Sequence, residues 1–421
     1  MLQRADRPPL GVLVLTCLLS TGALSGQAGD AAGQRQDLEA FRREFMAVDQ
    51  SYSAAARRQA EARIADLEAR AGSLSNAQFQ LALAQVAALA DNGHTLVIVA
   101  GPIGNRVGIR TAPFAGGFHV LRADSAHRDL LGARVVAIDG VPMATIRDTA
   151  HTYFGGTPAR RDRFASAFFE APALLHAAGI TRDPDQARFR FAMPDGSERE
   201  VVLAVAPPQA GARGGMTAAL DPSGSGDGWT TALPPELAPW ALREFGTTFR
   251  RRDLPELDAV MIQLRANTNA GGSINDFLEA SDSVRRALGR RHVVLDMRFN
   301  GGGNLQLTRD FMAALPERIG PGGKVVVLTS PWTFSAAISS IGYLKQAGGD
   351  RVTIVGEEVG DRLEFWAEGG PSRLPSSGTL VLAARERHDY RKGCRADSDC
   401  HPPVVRMPIA VAQLAPDDAE T

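Results

Sequence analysis

Only three cysteines, four tryptophans and four tyrosines occur in this chain of 421 residues, and its 46 Lys and Arg nearly cancel 47 Asp and Glu. A formal net charge of -1 leaves no basic footprint for nucleic acid or for an anionic membrane surface. So few cysteines exclude a disulfide scaffold. Beyond the N-terminus no apolar run approaches membrane-spanning length. Neither a Gly-Lys-Ser nor a spaced Gly-x-Gly-x-x-Gly fingerprint is present, so no nucleotide cofactor is expected, and no metal either. There is no internal repeat. The eight histidines are the whole supply of imidazole bases.

What is there begins with a secretory pattern. Arg4 and Arg7 precede an apolar stretch at 10–19, and Ser25, Gly26 and Ala28 offer small residues for cleavage. A signal peptide over 1–28 is expected, and with it a periplasmic or secreted protein of a bacterial envelope, with no stable membrane insertion once the signal is removed. Leu-Thr-Cys17 is a poor lipoprotein site. Of the cysteines, Cys394 and Cys400 then remain, an even pair that reads as a disulfide closing a small loop. A zinc site with His388 and His401 is the rival, and the spacing fits no zinc pattern.

Helical periodicity runs over 37–48 and 54–70, then from the N-cap Ser75 through Phe79, Leu83, Val86 and Leu89. Asp91-Asn92-Gly93 stops that helix, and His94 follows. Strands are expected at 96–99, 118–121 and 133–138, a helix-like piece at 174–178, and a hairpin of 188–193 and 200–205 through Pro194-Asp195-Gly196. Residues 207–228, rich in Gly, Pro and Ala, read as a linker. Strands at 259–264, 292–295, 324–329 and 352–355 then alternate with helices at 274–288, 307–314 and 336–345. That alternation makes the fold class α/β, with βαβ units and a mostly parallel sheet. The expected units are 29–95 helical, 96–206 β-rich, 207–228 linker and 229–421 of alternating strands and helices.

In such sheets ligands bind at the carboxyl ends of the strands. Two segments lie there: Asp-Met-Arg-Phe-Asn-Gly-Gly-Gly at 296–303 and Thr-Phe-Ser-Ala-Ala at 333–337. Each follows an apolar strand and opens a helix. Glycines free backbone N–H groups to face a developing negative charge, and Ser335 sits where a helix starts, so the pair suits acyl transfer. Taken singly, Ser335 reads as a helix N-cap and Gly301, Gly302 and Gly303 as a tight turn. Two histidines could serve as base, His94 in its turn and His388 in Arg387-His388-Asp389.

Asp-Asn-Gly-His-Thr at 91–95, the glycine segment and the Ser335 segment, in this order, resemble the tail-specific (C-terminal processing) serine protease family, which includes the tricorn core protease. The resemblance runs from about residue 37 onward. It implies a crotonase-like catalytic domain over 229–421 and a PDZ-like module over 96–206, where 131–142 ends on Ile-Asp-Gly-Val-Pro. One branch of the family carries a base lysine in a Gly-Lys-Gly turn; the stretch 356–362 here is Gly-Glu-Glu-Val-Gly-Asp-Arg. Arginine stays protonated, and Lys345 stands ten residues along the nucleophile's helix, about 15 Å by helical rise. The chain is therefore similar to the tricorn-like branch, with His94 as the base. That branch has a serine just before the histidine, where this chain has Gly93.

The resemblance thus implies Ser335 as nucleophile, His94 as general base, and Gly302, Gly303 and Ala336 as oxyanion donors. Asp389 is expected to orient His94, ahead of Glu386, Glu364 and Asp91. The activity implied is an exported serine endopeptidase acting on peptides or unfolded protein, with no cofactor and no nucleic-acid partner. The alternative is a non-catalytic protein on the same scaffold that binds a peptide or a small hydrophobic ligand. Acyl-thioester chemistry, found in the wider crotonase fold, is a third and weaker reading.

Overall fold

A computed structural model of the chain describes residues 30–99, 105–205, 218–222, 228–233, 235–236, 238–391 and 405–406. The expected signal, most of the expected linker and the Cys394/Cys400 pair lie outside these residues.

Three helices open the described chain: α1 (Ala31–Ala40), α2 (Ala54–Ala69) and α3 (Asn76–Ala88). Each has a side-chain cap. Asp30, Ser53 and Ser75 accept from the first turn, and Ser75 with Gln78 forms a reciprocal capping box. A π-helical turn, Phe41–Met46, continues α1 and buries Phe41 and Phe45. Strand β1 (Leu96–Ile98) follows the His94 turn.

An antiparallel sheet comes next. It contains β2 (Ile109–Phe114), β3 (Gly117–Asp124), β4 (Arg134–Ile138), the short β5 (Val141–Pro142), β6 (Gln186–Ala192), β7 (Glu198–Ala204) and β8 (Trp229–Thr231). The order is β2-β3-β4-β6-β7, with β5 on β4 and β8 on β3. The hairpin expected from Pro194-Asp195-Gly196 is β6–β7. Helices α4 (Met143–His151), α5 (Pro158–Phe169) and α6 (Pro172–Ala177) lie between β5 and β6. This sheet shares one apolar core with the N-terminal helices, from Leu38 and Phe41 to Phe189 and Leu203.

The third part is a six-stranded sheet in the order β16-β13-β12-β11-β10-β9. Its strands are β9 (Phe249–Leu254), β10 (Ala259–Leu264), β11 (His292–Asp296), β12 (Val325–Thr329), β13 (Val352–Gly356) and β16 (Val405–Arg406). Strands β10 to β13 and β16 run parallel, and β9 is antiparallel to β10. Helices α7 (Ile274–Ala287), α8 (Gln306–Arg318) and α9 (Ala336–Gly348) make the crossovers. Every residue of β10 is buried, as expected for a parallel sheet covered on both faces. The glycine turn leaves the carboxyl end of β11 and Ser335 lies beyond that of β12, so adjacent strands bring the two segments together.

A long hairpin, β14 (Glu364–Arg373) and β15 (Leu380–Asp389), pairs with β1 in the order β1-β15-β14. It ties the His94 end of the chain to the segment after β13. Among the described residues no helix is long and apolar enough to cross a membrane.

Candidate active site

Ser335 holds φ +54° and ψ −126°, a conformation strained for any residue with a Cβ. It occupies the N-cap position of α9, yet its hydroxyl makes no capping bond. The half-buried side chain is therefore not spent on the helix end. The backbone is held there from outside. Phe334 N–H donates to Asn300 O at 3.0 Å, Thr333 Oγ1 donates to Met297 O at 2.8 Å, and Ser330 Oγ donates to Arg298 O. These bonds fasten the Ser335 loop to the glycine turn.

A buried polar network underlies both. Asn267 Nδ2 donates to Thr308 Oγ1 and Ser340 Oγ, each at 2.9 Å, and Asn300 Nδ2 donates to Asn267 Oδ1 at 2.9 Å. Asp296 anchors the turn from below with three bonds from Arg298, two from its guanidinium at 2.9 and 3.0 Å and one from its backbone N–H at 3.1 Å, and one from Gln263. Burial pushes its carboxyl up, but Arg298 and these bonds outweigh burial and hold it below the ordinary value.

Gly302 (φ +101°) lies against the serine. A Cβ added there would fall 2.6 Å from Ser335 Cβ and 3.1 Å from Ala336 N. Glycine is thus required for close approach. Its N–H, an expected oxyanion donor, is already committed to Asn300 Oδ1 at 2.9 Å. The N–H groups of Gly303 and Ala336 have no acceptor among the described residues. Of the three expected donors they are the two left uncommitted, and Ala336 stands at the N-terminal end of α9.

His94 arrives on a turn fixed at both ends. Asn92 pairs with the backbone of Trp366 in both directions, at 3.0 Å each way, and Thr95 Oγ1 donates to Asp49 Oδ2 at 2.8 Å. The imidazole is stacked between Phe334 (4.2 Å) and Phe365 (5.1 Å). Phe334 immediately precedes Ser335, so His94 and Ser335 share a wall. Burial pushes the imidazole below its ordinary value, Asp361 raises it in part, and Arg160 lowers it further. A neutral ring at pH 7 follows, as a general base needs. Neither ring nitrogen makes an aligned hydrogen bond, so the Ser335–His94 bond is not formed in this state.

The carboxylate beside His94 is Asp361, not the expected Asp389. Asp361 Oδ2 stands 3.4 Å from His94 Nδ1, an ion-pair distance. The Gly93 N–H donates to Oδ2 at 3.1 Å and the Arg362 N–H to Oδ1 at 3.0 Å, which fix the buried carboxylate. Asp389 ends β15 on the surface, where Arg391 and Arg387 hold it. Of the other expected acids, Glu364 is bound by Arg387 and Arg391, and Asp91 by Arg161 and Arg362. His388 lies on the far side of the Phe365 ring, at 4.9 Å, with Nε2 3.7 Å from Glu368. Among the described residues no group of three or more His, Cys, Asp or Glu is arranged to hold a metal ion.

The fold that carries this geometry has been seen before. Mature CPAF in complex with lactacystin superposes with a TM-score of 0.58 at 13% identity, covering 91% of this chain and 95% of that one. A second structure of mature CPAF gives 0.57 at 12% identity, with coverages of 91% and 94%. At these identities the likeness is one of fold, and it extends over nearly the whole of both chains. The photosystem II D1 C-terminal processing protease matches over 90% of this chain and 92% of its own at 15% identity, with a TM-score of 0.39, too low to bear on the site. No protein-family model and no curated protein matches the sequence.

Proposed function

We propose that this chain is an exported serine endopeptidase that hydrolyses peptide bonds through an acyl-enzyme on Ser335. One observation carries the reading: Phe334 stacks on His94 while the next residue, the strained Ser335, meets Gly302 across a gap that no Cβ would fit. A serine freed from capping, a neutral and mostly buried imidazole and two uncommitted N–H groups thus sit on adjoining segments.

In the proposed reaction His94 Nε2 takes the Ser335 hydroxyl proton as Oγ attacks the carbonyl carbon. Asp361, beside Nδ1, holds the ring and stabilises the imidazolium. Gly303 and Ala336 N–H groups receive the oxyanion. His94 then protonates the departing amine. Water, deprotonated by His94, finally releases the acyl group. Apo sites commonly show long catalytic hydrogen bonds that close only with substrate, which accommodates the open Ser335–His94 pair. The N-terminal charge and apolar stretch support export, and peptides or unfolded protein are the substrates that fit this chemistry.

The test is a fluorophosphonate probe on the mature protein, with the adduct mapped by mass spectrometry. Stoichiometric labelling of Ser335 that disappears in His94→Ala is the expected result. Folded protein that takes no label refutes the assignment. Lactacystin, found in complex with mature CPAF, offers a second probe of the same serine.

A further inference from the structure

The β-rich part of the chain reaches the candidate site through one helix. Thr157 caps α5 by accepting from Arg160 N–H, Pro158 starts it, and the helix points Arg160 and Arg163 inward, where both are buried. Arg160 Nη2 donates to Gly93 O at 2.5 Å, on the peptide that leads into His94. The same guanidinium lies over the Phe334 ring, its Cζ 3.8 Å from the centroid. Four groups therefore form one continuous stack, Arg160–Phe334–His94–Phe365, with the serine loop and the histidine turn both inside it.

Contacts along α5 repeat the pattern. Thr157 Oγ1 donates to Val359 O, two residues before Asp361, at 3.1 Å. Arg163 Nη1 donates to Pro331 O at 3.3 Å, and its guanidinium covers Trp332 at 4.3 Å. The chain just before α5 touches the histidine turn backbone to backbone. A Cβ on Gly155 would fall 2.7 Å from Asn92 O, and one on Gly156 (φ +93°) would fall 3.2 Å from Gly93 Cα. Such close approach is open only to glycine.

We propose that Arg160 is a positioning residue, and that through it the β-rich part completes the active site by clamping the His94 turn onto the loop that carries Ser335. The proposal rests on the peptidase reading given above. Burying a guanidinium is costly, and this one finds in return one hydrogen bond, the rings of Phe334 and Phe164 (4.7 Å) and the charge of Asp361. Lysine cannot reproduce the ring and carbonyl contacts together: an ammonium is a point charge and does not cover a ring while holding a carbonyl at its edge. Arg160 also contributes its charge. His94 is faced by Asp361 from the segment after β13, by Glu368 from β14 and by Arg160 from α5, with His388 of β15 beyond Phe365. Arg160 is the one cation among those acting directly on the ring, and it opposes protonation of the base.

Two readouts on folded Arg160→Ala and Arg160→Lys decide the matter: the His94 imidazole titration by NMR, assigned with His94→Ala, and the pH profile of fluorophosphonate labelling. In Arg160→Ala the His94 midpoint should rise, and labelling at pH 7 should slow at least tenfold. In Arg160→Lys the midpoint should stay near wild type while labelling remains slow. A helix that merely stabilised the fold would lower Tm in both variants with the His94 midpoint and the labelling rate unmoved, and that result overturns the proposal. If Arg160→Ala does not fold, wild-type labelling by folded Arg160→Lys overturns it instead. A shifted His94 midpoint in a protein whose wild type takes no label would refute the peptidase reading and leave the clamp standing.

Discussion

Replacing Asp361 by Asn separates an orienting carboxylate from a structural one. At 3.4 Å from His94 Nδ1, the carboxylate faces the ring atom that in the proposed reaction must keep its proton while Nε2 acts as base. Two unit charges at that distance in an effective dielectric near 20 attract by about 5 kcal/mol, a ceiling on what Asp361 offers the imidazolium. Asparagine keeps the shape and one acceptor but loses the charge. A loss of roughly 3–5 kcal/mol in transition-state stabilisation is expected, or on the order of a hundredfold to a few thousandfold in labelling or hydrolysis rate. The pH profile adds a second signature. In the proposed reaction the base acts when neutral, so activity is expected to appear as pH rises through the His94 pKa. Burial sets that midpoint below 6.5, and Asp361 opposes the shift. Asp361→Asn should therefore move the acid limb to still lower pH while the plateau falls, whereas Arg160→Ala should move the limb upward. Labelling rates from pH 4.5 to 8 measure both. A folded Asp361→Asn protein with wild-type rate and an unmoved limb would refute the pairing.

Gly302→Ala puts a methyl group 2.6 Å from Ser335 Cβ at φ +101°. Overpacking and backbone strain together should cost about 2–5 kcal/mol in urea unfolding, and labelling should fall about a hundredfold or more; a folded, fully reactive variant would show that the turn does not shape the oxyanion pocket. Glu357 carries a carboxyl that burial raises to about 7 and Arg298 draws down. A folded pKa raised above the unfolded 4.5 means that folding takes up a proton between those values, so this group's stabilisation is full below pH 4.5 and lost as pH rises through 7. Glu357→Gln should remove that slope, with a gain of up to about 3 kcal/mol at pH 8 relative to pH 4.5. Equal slopes in the two proteins would place the ionisation elsewhere.

The fold was most readable where a local rule decides it. Val293-Val294-Leu295 and residues 325–328 announce buried parallel strands because both faces of that sheet are covered, and 259–264 was found with its expected bounds. Ser335 and the glycine turn were legible for the same reason, since a strand, a tight turn and a helix start follow one another directly in sequence. Asp361 had no such signal. Its carboxylate meets Gly93 across 268 positions, and no periodicity reports a contact made by a loop at that range. The hairpin β14–β15 was hidden by Gly369-Gly370-Pro371 and by register shifts around Glu368, which break the alternation that marks a strand. Helix α5 is the more instructive omission. Thr157-Pro158 is a proper start signal, but the buried face that follows includes Arg160 and Arg163, so the apolar stripe that identifies a helix is interrupted by charge. Residues that break a local rule without a visible gain are where function is to be sought. Here the gain lies in another part of the chain: two arginines that make α5 a poor amphipathic helix are the two that reach the serine loop, one over Phe334 and the other over Trp332.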